Sequence, residues 1–448
     1  MVNTLYLPEL REMLAENQTA ELDEFCVTLN AGRTAEFMEG LDDGDLWAVL
    51  QHATPDRRAE IFGYFDEQRQ VELLLTQDPD QVASLIDNVP SDDRVDLIQL
   101  LPTERVQAIL PLLPTEDRRD IQRLRSYSEG TAGSLMTSEV AMLSESLGVR
   151  RALDELASQA SDLETIYYLF VVDDDKILRG IVSTRQLVSS LRHPERTLGE
   201  MMETDVVVAE VDEDQESVAE KVERFNLLAI PVVDARRQLL GIITHDDVID
   251  VVREELTEDA QRIAAVAPLE EDYLRIGLLN LSWKRGIWLI ILFFAALLTA
   301  FALEHYHQEL SDYIWLVSFI PLIISAGGNS GSQSATLVIT ALTSGQLELT
   351  DWRQVIRREI VVSLLLGGFL ALIGFFVAAL MAPSVTDATV IPLTLLAVIV
   401  VGCFFGAALP LLFQRLGLDP AMMSNPFVAG IVDILGIVIY INIARLIL

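Results

Sequence analysis

Lysine and cysteine are what this 448-residue chain has least of: 3 Lys stand against 29 Arg, and there are 2 Cys. Cys26 and Cys403 fall in different parts of the chain, which excludes a disulfide framework and a thiolate metal centre. Histidine is scarce too, and His305 and His307, a pair without a further ligand, make no metal site. The N-terminus is polar and lacks the apolar run of a signal peptide, so the soluble part is expected to stay in the cytoplasm. Basic charge is short throughout the first half. Residues 1–282 carry 25 Lys+Arg against 58 Asp+Glu, whereas residues 283–448 carry 7 against 9 and are otherwise mostly apolar. An acidic surface of this kind repels nucleic acid and attracts cations. Adaptation to a salty habitat is the other source of such acidity, and the Arg-for-Lys usage does not decide between them. At this length the chain holds more than one domain.

Residues 1–130 read as an acidic, all-α helical-repeat domain. Prolines punctuate it at Pro55, Pro79, Pro90, Pro102 and Pro114, and the last three recur every 12 residues. Proline with an acid in the first turn suits a helix N-terminus, and runs such as Val95-Leu97-Ile98-Leu101 follow helical spacing. A superhelix of short helices is expected.

From about 134 to 253 the texture becomes strand-helix-strand-strand-helix, and it occurs twice. Phe170-Val171-Val172-Asp173 with Gly180-Ile181-Val182-Ser183 is matched, 61 residues later, by Pro231-Val232-Val233-Asp234 with Gly241-Ile242-Ile243-Thr244. This duplication resembles a tandem pair of CBS domains, an α/β module that senses ligands and dimerises. We place the first at 131–198 and the second at 199–253. An acidic helix over 246–275 carries Asp246, Asp247, Asp250, Glu254, Glu255, Glu258 and Asp259, and a connecting segment at 254–282 leads to the membrane.

Five apolar segments follow, at about 284–303, 313–341, 355–381, 390–413 and 427–448. Each is long enough for a hydrocarbon core of about 30 Å at about 1.5 Å per residue. Residues 283–448 are therefore expected to form an α-helical membrane domain of five transmembrane helices. Lys284 and Arg285 precede the first span, Arg353, Arg357 and Arg358 the third, and Arg415 separates the fourth from the fifth, while loops 304–312 and 382–389 have no Lys or Arg. That asymmetry puts the N-terminus in the cytoplasm and the C-terminus outside a multi-pass inner-membrane protein.

Within the last span lies one carboxylate, Asp433. Asn425, Ala429, Asp433, Gly436 and Tyr440 are spaced 4, 4, 3 and 4, so they share one helical stripe. An acid inside a span is costly and marks a pathway more often than a structural tie. Residues 325–336 of the second span, with three glycines, Asn329 and several hydroxyls, predict irregular or close-packed backbone. Glu359, beside Arg357 and Arg358, reads as an interfacial ion pair, and Gly402-Cys403-Phe404-Phe405-Gly406 as a helix-packing face. No catalytic residue is assigned, and the chain is read as no enzyme. Oxygen-only ligands suit hard cations, and magnesium is often held through its own waters by one or two carboxylates. Two chains on a two-fold axis would present two Asp433 side chains to one hydrated ion.

The order of parts, together with residues 327–336, Leu418-Asp419-Pro420-Ala421 and Ser424-Asn425-Pro426-Phe427-Val428-Ala429 followed by Asp433 and Gly436, resembles the MgtE family of magnesium channels and transporters over essentially the whole chain. The resemblance implies a homodimer with its pore on the two-fold axis, where Asp433 holds hydrated magnesium helped by Asn425, the Ala429 carbonyl and Asn329. It also implies gating by intracellular magnesium at Asp92, Asp93, Asp212, Asp214, Glu216, Asp246, Asp247, Asp250, Glu254, Glu255, Glu258 and Asp259. Some relatives bind ATP in the CBS cleft. Here Thr244 and Asp247 keep the nucleotide-binding spacing, while Ser183 and Gln186 do not. The chain departs from the family at Ser332, where some members carry Asn, and at Leu435, where Thr precedes the glycine. A proton- or sodium-coupled exchanger using Asp433 is the alternative function. A CBS-regulated anion channel fits poorly, because the pathway is acidic. A membrane-anchored nucleotide sensor leaves the polar second span unexplained.

Overall fold

The computed structural model describes residues 5–160, 162–269, 273–307 and 313–448. The chain forms two compact units, Met1–Val252 and Arg253–Leu448.

Among the described residues the first unit opens with ten short helices: α1 (Leu7–Ala15), α2 (Thr19–Thr28), α3 (Ala31–Met38), α4 (Asp43–Leu50), α5 (Pro55–Gly63), α6 (Glu67–Thr76), α7 (Pro79–Ile86), α8 (Ser91–Leu100), α9 (Thr103–Ile109) and α10 (Thr115–Leu124). The prolines act as expected. Pro55 and Pro79 begin α5 and α7, and Pro90, Pro102 and Pro114 stand immediately before α8, α9 and α10. Arginine supplies the other end of this repeat. Arg57 donates to the Cys26 carbonyl at 3.0 Å, Arg69 to that of Leu41 at 2.6 Å, Arg94 to that of Val89 at 2.8 Å and Arg105 to that of Leu74 at 2.8 Å. Each guanidinium thus satisfies a carbonyl left open where a helix ends, and the planar forks of Arg57, Arg94 and Arg105 each reach a second one. Part of the Arg-for-Lys bias is therefore structural.

The two sequence repeats each contain a three-stranded sheet: β1 (Met142–Ser144), β2 (Tyr168–Val172) and β3 (Leu178–Ser183), then β4 (Ala209–Glu210), β5 (Ala229–Val233) and β6 (Leu239–Thr244). In both, the first pair is parallel and the second antiparallel, and Val171↔Gly180 repeats as Val232↔Gly241, each followed by a register shift. The paired glycines have the same cause. A Cβ at Gly180 would lie 2.6 Å from the Glu203 carbonyl, and one at Gly241 2.4 Å from that of Thr137, because each sheet is crossed there by the segment entering the other repeat. Helices α11 (Ala132–Leu135), α12 (Val149–Gln159), α13 (Thr184–Ser189) and α14 (Gln215–Phe225) complete the pair.

Helix α15 (His245–Ile263) crosses the boundary between the units. It stops well short of the 246–275 that the acid pattern predicts. Ala265 adopts φ +59°, the Val266 amide turns back to the Gln261 carbonyl and Pro268 follows, so the chain cannot continue as a helix. Glu270, Glu271 and Asp272 lie outside the described residues.

The second unit contains α16 (Leu278–His305), α17 (Ile314–Val317), α18 (Ile320–Thr343), α19 (Trp352–Met381), α20 (Val385–Ala388), α21 (Val390–Arg415) and α22 (Asn425–Ile447). Five helical segments among the described residues are long and apolar enough to cross a membrane. Helices α18, α21 and α22 pack together, α19 lies against α21, and α16 touches α22 with no residue of its own buried. Its outward Phe293, Phe294, Leu298 and Phe301 suit a lipid solvent.

Candidate ion pathway and acidic cluster

The glycines of the second span give a regular helix, α18, brought very close to its neighbours. A Cβ at Gly406 would sit 2.2 Å from the Gly331 carbonyl, and one at Gly402 2.7 Å from that of Gly327, so two small-residue ridges meet backbone to backbone. Of the two expectations for residues 325–336, close packing is realised and irregular backbone is not.

That contact sets the place of Asp433 on α22. Val428 and Val432, buried at 0 % and 1 %, fill the space beside Gly331, and Val432 also meets Gly327, while the small polar stripe is rolled to one side. Gly328 faces the stripe: a Cβ there would stand 3.2 Å from the Asp433 carboxylate and 3.4 Å from the Ala429 methyl. At the start of α22, Asn425 is tied to α18. Its carbonyl accepts from Ser332 and its side-chain oxygen from Thr336, each at 3.1 Å. The hydroxyl of Ser332 therefore positions Asn425. Asn329 is exposed beside Gly328, donating to the Ser325 hydroxyl at 3.1 Å. Tyr440 is spent structurally, donating to the Leu316 carbonyl at 2.8 Å. Asp433 itself is half-buried, and among the described residues no hydrogen bond or ion pair reaches its carboxylate.

Glu359 corrects the sequence reading. Arg357 and Arg358 point outward, and Glu359 instead accepts a 2.6 Å hydrogen bond from Ser334 of α18. Ser334 is buried and belongs to the same close-packed ridge. About two turns into α19 the carboxylate meets a hydroxyl of the neighbouring helix, while the two arginines beside it in sequence face outward.

In the first unit, part of the predicted regulatory set converges. Asp92 and Asp93 at the start of α8 and Asp246, Asp247 and Asp250 of α15 lie within electrostatic range of one another. Glu164 and Asp96 join them, although neither is among the residues the sequence pattern marks. One oxygen of Asp92 is buried without a hydrogen-bond partner. Burial first, and neighbouring carboxylates second, push Asp92 well above its ordinary range, Asp93 and Asp96 to about 6 and Glu164 to about 7. Burial likewise raises Asp247, whose carboxylate accepts from the amide and hydroxyl of Thr244. Beside this cluster Arg94, 4 % exposed, binds Asp117 at 2.9 Å and Glu139 at 3.4 Å. Asp214 is drawn off to a different task as the N-cap of α14, accepting from the Glu216 amide at 3.0 Å. Asp212 and Glu216 are exposed.

The second unit holds the remaining acids. Glu254 is exposed and Glu255 half-buried. Arg262 pairs with both Glu258 and Asp419, and Asp259 is raised by burial first and by the nearby Asp419 second, with Thr343 donating to it. Among the described residues, no three His, Cys, Asp or Glu side chains converge tightly enough to hold a metal ion on their own.

Comparison with known proteins covers nearly the whole chain. The family model described as a divalent cation transporter, MgtE, matches residues 320–443, the MgtE intracellular N domain matches 29–130, and the CBS domain matches 132–193 and 198–254. The magnesium transporter MgtE of Enterococcus faecalis is 34 % identical over 98 % of this chain and 96 % of its own length. That of Thermus thermophilus is 37 % identical over 73 % of this chain and 72 % of its own. Among solved structures, the soluble part of a magnesium transporter covers 55 % of this chain and 97 % of its own at 31 % identity and TM-score 0.53. The cytosolic domain of the Mg2+ channel MgtE in complex with ATP covers 54 % and 98 % at 32 % identity and TM-score 0.50.

Proposed function

The chain belongs to the MgtE family of magnesium transporters, and on that premise we propose that two copies form a magnesium channel gated by the intracellular ion. One observation carries the reading. Asp433 is a carboxylate inside a membrane helix with no partner among the described residues, set beside a glycine that leaves room in front of it. An isolated ionised acid at that depth costs several kcal/mol by contested estimates, so its partner lies outside the single chain. A second Asp433 across a two-fold axis, with a hydrated dication between, supplies it. Magnesium sheds water reluctantly and passes as the hydrated ion, which suits a pathway with one carboxylate per chain, the Asn425 amide, the Ala429 carbonyl and Asn329. Lys284, Arg285, Arg353, Arg357, Arg358 and Arg415 at one set of span ends support a cytoplasmic N-terminus and an outer C-terminus, against the single Arg445 at the other end.

The cluster of Asp92, Asp93, Glu164, Asp246, Asp247 and Asp250 supplies the regulation. Like charges packed this closely repel until a dication screens them, and the orphaned oxygen of Asp92 is a buried acceptor awaiting a cation. Carboxylates alone fit a hard ion, and magnesium there neutralises charge that otherwise drives the elements apart. Glu254, Glu255, Glu258 and Asp259 extend the same role along α15. ATP is a second regulator on this reading, supported by a relative solved with ATP and by the Thr244–Asp247 hydrogen bonds. An exchanger using Asp433 as proton carrier makes the opposite forecast in one experiment. In liposomes holding the purified chain, magnesium flux is expected to follow the magnesium gradient alone. Flux that responds to an imposed pH or sodium gradient refutes the channel.

A further inference from the structure

On the face of α21 away from Gly402 and Gly406, a cavity of about 510 Å³ opens toward the membrane. Its walls are Leu349, Trp352 and Ile356 on one side and Phe404, Ala408, Leu411 and Leu412 on the other, with Thr350 and Arg415 as its polar residues. From Phe404 to Arg415 the helix rises about 16 Å at about 1.5 Å per residue, close to the roughly 15 Å of hydrocarbon in one leaflet. Arg415 lies in the last turn of α21, and Trp352 opens α19, so the polar end sits where a span leaves the bilayer.

The charges at that end favour an anion. Among the described residues Arg415 has no acidic partner, and the Arg353 guanidinium stacks 5.3 Å from the centre of the Trp352 ring. The acids nearby bond within their own turn rather than to Arg415: Asp351 accepts from the Glu348 amide at 3.2 Å, and Glu348 accepts from the Thr350 hydroxyl at 3.3 Å. Apolar walls of leaflet depth, open to lipid and ending on an unpaired cation, match one class of occupant. We propose that this groove binds one anionic phospholipid, an acyl chain lying along Phe404, Ala408, Leu411 and Leu412 and the phosphate on Arg415.

The test uses the full chain in a neutral detergent, titrated with phosphatidylglycerol or phosphatidylcholine of identical acyl chains and read by native mass spectrometry. An unpaired basic side chain near a lipid phosphate is worth about 1 kcal/mol, so the wild type is expected to retain phosphatidylglycerol about fivefold more tightly. Arg415→Gln should bring that ratio close to one, and Ala408→Phe, which fills the groove, should weaken both lipids. Equal retention of the two lipids by the wild type overturns the proposal. So does a preference that survives both variants.

Discussion

At the residue scale, the buried groups that matter are those whose partners are specific. Arg94 joins Asp117 and Glu139 to the end of α7 while almost wholly shielded from water. Removing it leaves two carboxylates and a carbonyl facing one another. Arg94→Ala is expected to destabilise the first unit by about 3–5 kcal/mol, as other broken buried pairs do, read as a fall in thermal midpoint. An unchanged midpoint contradicts that role. Such partners were not legible in the sequence. Asp433 stood out because a charge in an apolar run is conspicuous, and Asn425 and Ala429 followed from helical spacing. Glu164 is not legible because its acidic neighbours in space, Glu139, Asp93, Asp246 and Asp247, lie between 25 and 83 residues away in the chain. Asp214 carries the same signal as the clustering acids, yet an aspartate just before a helix is also a preferred cap, and that local task takes it.

At the element scale, the span boundaries, the tandem repeat and the small-residue face of α21 were all written in periodicity. Two things were not. The acid pattern carried α15 on to 275, whereas Ala265 and Pro268 end it at Ile263, a stop signal outweighed by the run of charge. The partner of the Gly402–Gly406 ridge is the Gly327–Gly331 ridge of α18, a pairing that spacing alone does not specify. Gly406→Ala is expected to destabilise the membrane unit by about 1–3 kcal/mol through overpacking, because a methyl there meets the Gly331 carbonyl at 2.2 Å. Gly430→Ala, where the nearest atom is 3.7 Å away, should be near neutral. Thermal unfolding of both variants in detergent distinguishes them, and equal midpoints refute the ridge contact. Glu359→Leu is expected to loosen α19 from α18, while Glu359→Gln, still able to accept from Ser334, should behave like the wild type. Hydrogen exchange over 352–362 reads the difference.

At the scale of the whole molecule, the acidic composition that first set the chain apart becomes a balance between charge and cation. Glu164 near 7 and Asp93 and Asp96 near 6 lie above unfolded carboxylates near 4. Their folded forms bind protons the unfolded chain has released, so stability falls as pH rises through about 6 to 7 and charge is forced onto the cluster. Without magnesium, the full chain in detergent is expected to melt lower at pH 8 than at pH 5.5, and millimolar magnesium at pH 8 should recover most of the loss. A higher midpoint at pH 8 without magnesium contradicts the account.

On this reading Asp433 holds the permeating ion between two copies. Magnesium flux into liposomes containing Asp433→Ala, with the oligomer checked beside the wild type, tests it most directly. Loss of flux with assembly unchanged is the expected result, and flux at the wild-type rate contradicts it.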